Sequence, residues 1–113
     1  MKIPAMGGGG GTPSPDWANK VLITNSTSAV SDKKYDVPSN GFITGTGNTP
    51  QGGPNAILTI QIKKNGSTVA NFSLQQAPYM NLATWFPVAE GDEAHIWCTF
   101  TGSNSGVYFV PWK

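Results

Sequence analysis

Residues 90 to 97 read EGDEAHIW. Three of the six acidic residues, Glu90, Asp92 and Glu93, fall within four positions, and the only histidine, His95, follows. The only cysteine, Cys98, stands three positions further on. Carboxylates, an imidazole and a thiol are the groups that hold metal ions and carry acid–base or nucleophilic chemistry. Their spacing speaks against each of these uses. Side chains alternate faces along a strand, so His95 and Cys98 point apart and cannot chelate one ion. A zinc site takes three or four ligands, and calcium takes six or more oxygens in a loop this stretch does not match. A glycosidase needs two carboxylates across a cleft, and nothing in the pattern pairs these acids. Ser-His-Asp can be assembled on paper, but no nucleophile-elbow sequence supports it. Cys98 alternates with Ile96 and Phe100 as a core thiol would. The expectation is a turn at Gly91 whose acids stay in water, with no catalytic residue, no metal and no cofactor.

The elements around this stretch are strands. AHIWCTFT alternates Ala94, Ile96, Cys98 and Phe100 against His95, Trp97 and Thr99. AILTIQIKKNGSTVANFSLQQ is the clearest hairpin: Leu58, Ile60 and Ile62 alternate with polar residues, Asn65-Gly66 supplies a tight turn, and Ala70, Phe72 and Leu74 alternate on the return. KVLIT, FIT after the Ser39-Asn40-Gly41 turn, LATWFPVA and VYFVPWK supply further short strands, with Pro87 marking an edge or a bulge. A flexible loop spans residues 46 to 55, a turn falls at GSNSG after Thr101, and turn signals recur about every ten residues. This pattern predicts an all-β, antiparallel, jelly-roll-like β-sandwich of roughly eight short strands, occupying residues 17–113. Residues 1–16, with five consecutive glycines and then Pro13 and Pro15, read as a flexible tether.

Composition narrows the function classes. Charged residues make up 12% of the chain, about half the usual share, and the net charge is +1. All seven basic residues are lysine. Without arginine forks or a basic field, nucleic-acid binding is excluded from the expectations. No run is long and apolar enough to insert in a membrane, and the first residues lack the apolar core of a secretory signal. Synthesis in the cytoplasm without a signal peptide is therefore expected.

Twelve residues are aromatic, and several stand opposite the core face of their strands. Trp85 and Trp97 do so, as do Tyr108 and Trp112, with Val110 between them. A lone sandwich wants wet outer faces. Burial by another subunit is the expectation for Tyr108, Val110 and Trp112. For Trp85 and Trp97 subunit packing and ligand binding stay open.

The run ATWFPVAEGDEAHIWCTFTGSNSGVYFVPWK is strand, small-Gly-Asp turn, strand, polar turn and aromatic final strand. It resembles the ending of trimeric jelly-roll heads of the complement-recognition and tumour-necrosis-factor type. It is closer still to the receptor-binding tips of bacteriophage tail fibres, where segments like YDVPSNGFITG precede it. The resemblance spans about residues 17 to 113 and implies a non-enzymatic homotrimeric binding head. It also implies a place on the virion, extracellular after lysis, joined to other virion proteins through the N-terminal tether. The long shaft of a fibre is absent from the residues before the domain. The implied partner is a bacterial surface receptor, a glycan or a protein. Flat rings meet the C–H faces of sugars, and uncharged amides meet their hydroxyls. On that chemistry the candidate ligand-binding residues are Tyr79, Asn81, Trp85, Trp97, Asn48, Gln51 and Asn55. The competing expectation is a structural virion protein, a head fibre or decoration subunit whose apolar face serves assembly alone. A small hydrolase is a third, disfavoured by the acid and histidine inventory.

Overall fold

The structure is a computed structural model that describes residues 14–25, 29–100 and 105–113. Strand β1 is Val21–Thr24, β2 Val30–Asp36, β3 Gly41–Gly47, β4 Ala56–Lys64, β5 Ser67–Gln76, β6 Leu82–Val88, β7 Glu93–Cys98 and β8 Gly106–Pro111. The chain doubles back at Asn65-Gly66, where φ is 51° and 81° as a two-residue hairpin turn requires. From there β4 pairs with β5, β3 with β6, β2 with β7 and β1 with β8, all antiparallel. Rolling this long double strand brings β8 against β3 and β7 against β4. Two four-stranded sheets result, ordered β1-β8-β3-β6 and β2-β7-β4-β5. That is the double-sheet jelly roll expected from the turn spacing.

The inner faces follow the alternation. Leu58, Ile60 and Ile62 of β4 and Ala94, Ile96 and Cys98 of β7 are buried against Ile43, Val107 and Phe109 of the other sheet. Each such side chain contributes about 1.5–3 kcal/mol of transfer free energy. Phe72 and Phe86 stack at 4.4 Å where β5 faces β6, closing one open side. Leu74, expected inward, is exposed, because it lies on the edge strand β5. Pro87 stands in β6, which is also a sheet edge, where a missing N–H need not face the ladder.

Two expectations are corrected. The composition makes residues 1–16 a tether, but Ser14 to Asp16 are bonded to the end of the chain. Asp16 N donates to Pro111 O at 2.8 Å, Lys113 N donates to Ser14 O at 2.9 Å, and Pro15 bridges Trp112. A short 3-10 turn, Trp17–Asn19, then packs on β8. Residues 1–13 of the tether, and most of the expected GSNSG turn, lie outside the described residues. The second correction concerns the EGDE turn. Glu90 is exposed, but Asp92 is not solvating the turn. It is buried, its Oδ2 accepts from Ala89 N at 2.9 Å, and its Oδ1 meets Lys64 Nζ at 3.0 Å. The carboxylate thus ties its own turn to β4, while the backbone bonds Val37 N to Asp92 O and Gly91 N to Val37 O tie the same turn to the segment after β2.

Candidate functional site

The outer face of the β1-β8-β3-β6 sheet carries a second apolar layer. Phe42 is buried on this face and sits between three indoles. The rings of Trp17 and Trp85 stand almost perpendicular to it, at 80° and 81° with centroids 5.6 and 5.8 Å away, and Trp112 is tilted at 5.1 Å. Edge-to-face contacts of this kind hold aromatic rings in fixed orientations. Trp17 arrives on the 3-10 turn, Trp85 on the edge strand β6, and Trp112 on the segment after β8 that pairs with Pro15. Between them lies a groove of about 500 Å³ floored by Phe42, Thr44 and Thr46 and flanked by Ala83. Among the described residues no charged side chain lines it. Trp17 and Trp85 nonetheless remain 56% and 61% exposed, so their ring faces are open to a ligand.

Register extends this surface toward one end of the sandwich. Across β3 and β6 the outward pairs are Phe42 with Pro87, Thr44 with Trp85, and Thr46 with Ala83. The next outward pair lies just beyond the strands: Asn48 Nδ2 donates to Asn81 Oδ1 at 3.2 Å. Tyr79 follows, exposed and with φ of 70°, its N–H donating to Thr49 O. Four of the seven candidate ligand residues, Asn48, Tyr79, Asn81 and Trp85, therefore lie in one line. Gln51 and Asn55 sit elsewhere on the β3–β4 loop, and the Asn55 carbonyl accepts from Thr99 Oγ1. Trp97 is on the outer face of the other sheet, so it shares no site with Trp85.

The subunit-contact candidates divide as well. Val110 is fully buried within the single chain, so it cannot be buried further by a subunit. The reason is local: it is paired with Phe42 and covered by the segment carrying the 3-10 turn. Trp112 lines the same groove as Trp85, so a ligand candidate and a contact candidate belong to one surface. Tyr108 stays half-buried, with Lys20 Nζ 4.8 Å from its ring centroid. Trp17 and Phe42 were not among the expected site residues. Phe42 shares outward parity with Thr44 and Thr46, but Trp17 reaches the face on a turn with no local signal.

His95, from the opening stretch, lies on the outer face of the other sheet between two carboxylates. Its Nδ1 is 2.5 Å from Asp32 Oδ1 and its Nε2 is 2.6 Å from Glu93 Oε2. Asp32 reaches it from a bulge in β2, where its φ is 50°. Glu93 also pairs with Lys34 at 3.3 Å. The hydrogen bonds to Glu93 and Asp32 hold the His95 imidazole protonated above its usual range, and the bond to His95 keeps the Glu93 carboxyl below its own. The carboxylates occupy opposite edges of the ring, so they do not meet at a common ion. Among the described residues no group of three or more His, Cys, Asp and Glu side chains is placed to hold a metal ion.

This cluster ties edge strand β2 to β7 and gives a pH prediction. A histidine whose folded pKa is raised contributes its full stability below the unfolded value near 6.5 and loses it as pH rises through the folded value. A depressed Glu93 contributes above about 4.5 and is lost as pH falls through its folded value. Thermal stability is therefore greatest between roughly pH 4.5 and 6.5 and declines as the pH rises through the raised folded value of His95. His95→Gln flattens the alkaline decline. An equally steep decline in the variant, followed by differential scanning fluorimetry, would refute the assignment.

Comparison with protein-family models and with curated proteins finds no match.

Proposed function

We propose that this protein is a non-enzymatic carbohydrate-binding head, the receptor-binding domain of a bacteriophage fibre or similar virion appendage. The observation that carries the reading is the groove around Phe42. Two exposed indoles, an uncharged lining and neighbouring side-chain amides are the groups that sugars select: rings for C–H faces, neutral hydrogen-bonding groups for hydroxyls. Binding charged groups there would leave ions unpaired against apolar walls. The virion setting rests on the resemblance of the C-terminal strands and turns to fibre tips.

Homotrimer formation is part of the same proposal, since weak single sites gain from multivalency. The contact has to exclude Val110. Exposed apolar side chains on opposite sheet edges, Val21 and Leu22 on β1 and Val69 and Leu74 on β5, offer a surface for head-to-tail contacts that close a ring. Purified protein should scatter light as a trimer at micromolar concentration and bind whole bacteria and a glycan array without releasing reducing sugar. A monomer removes the trimer. Intact protein that binds neither cells nor glycans removes the adhesin reading and leaves a virion protein with an assembly role.

A further inference from the structure

The line of residues on the outer face of β3 and β6 sorts itself by chemistry. The Phe42 end is aromatic, with Trp17, Trp85 and Trp112 around it. The middle is narrow and bears small side chains, Thr44, Thr46 and Ala83. The far end is the Asn48–Asn81 pair. Phe42 and Asn48 are six positions apart, so the line is about 20 Å long at the rise of an extended strand. That is the length of several linked sugar rings, not of one.

The amide pair has capacity left over. Two asparagine side chains carry two carbonyl oxygens and four N–H donors. The single bond from Asn48 Nδ2 to Asn81 Oδ1 fixes their mutual orientation and leaves the Asn48 Oδ1, the second Asn48 N–H and both Asn81 N–H groups unspent. An acceptor and donors held side by side match a vicinal diol or an acetamido group. Thr44 already donates to Thr84 O, so the middle contributes shape more than donors.

Resting on the carbohydrate reading above, we infer that the groove takes the interior of an extended, uncharged oligosaccharide laid parallel to β3, about three or four rings long. One ring stacks on Trp85, and a ring further along is read by Asn48 and Asn81. A terminal anionic sugar is disfavoured, because among the described residues no cationic side chain lines the groove.

The test is calorimetric titration with gluco-, galacto- and N-acetylglucosamine-based oligosaccharides of one to six units, alongside hexuronate chains of equal length. Affinity should rise at least tenfold from one unit to four and then level off, with the hexuronates weaker. Asn81→Ala and Asn48→Ala should abolish the gain from the longer chains while leaving the shortest bound ligand unaffected. Asn81→Ser, which puts a short hydroxyl in place of the amide, serves where the alanine change disturbs the loop. Affinity independent of length, amide variants that weaken all lengths equally, or tighter binding of hexuronates would each overturn the inference. Failure of every neutral series while the protein still binds cells also overturns it, and leaves the adhesin reading standing. Failure to bind cells and glycans alike overturns both.

Discussion

Gly41→Ala should lower the melting temperature by about 12 °C or more, the largest effect expected of a single methyl at any described glycine. A Cβ at Gly41 would lie 2.2 Å from Val110 O, 2.8 Å from Phe109 Cε1 and 2.9 Å from Pro111 Cα. Two of these three atoms are backbone, so no rotamer change relieves the clash. The β3 and β8 strands must part at the register pair Gly41–Pro111. Overpacking a core usually costs about 1–3 kcal/mol, and a collision with a neighbouring strand's backbone belongs at or above that upper end. For a domain of this size each kcal/mol is about 4 °C. The neighbouring residue is Phe42, so groove binding should fall with the fold. Gly53→Ala is the control. Its nearest obstacle is Pro50 O at 3.1 Å within the same loop, so its effect should be far smaller. Equal melting temperatures for Gly41→Ala and the unaltered protein would show that β3 and β8 are not packed this closely.

How much of this was legible in the sequence depended on the range of the interaction. Period-two alternation named the apolar buried residues of β4 and β7 correctly, because each face is decided by neighbours two positions away, but it left out His95, which is buried on the outer face by its carboxylate partners. Asn65-Gly66 announced its turn for the same reason. The regular turn spacing carried the jelly roll, which the strand order bears out. The site was harder. Alternation placed Trp85 and Trp97 on outer faces, but it could not say that these faces belong to different sheets. That follows from rolling the double strand, a property of the whole chain. Alternation alone leaves Val110 without cover, because the segment at Ser14 to Asn19 that packs on β8 lies more than 90 residues away in the sequence. Asp32 and His95 are 63 positions apart and meet only because β2 bulges. Asp92 reads as a solvated acid in the sequence because Lys64, which meets its Oδ1, is 28 positions away, although its bond from Ala89 N is local.

Trp85→Ala should reduce binding to glycan or cells at least thirtyfold while changing the melting temperature little. The indole is 61% exposed, and its contact within the chain is the edge-to-face one with Phe42. Losing that contact costs about 0.5–1.5 kcal/mol beyond the small buried area. A ligand ring stacked on Trp85 loses far more, because the alanine leaves no flat surface to replace it. Residues that anchor a binding surface cost about 2 kcal/mol or more on truncation, which is roughly thirtyfold at 25 °C. Trp97→Ala separates the two outer faces. It lies on the opposite sheet, so it should leave binding in the groove intact. Trp85→Phe should recover part of the affinity, since a smaller ring still offers a face. Three outcomes count against the groove: binding that survives Trp85→Ala, binding that is lost with Trp97→Ala instead, and a melting temperature that falls in step with affinity. The last would assign Trp85 to packing, with Phe42 as the residue it supports.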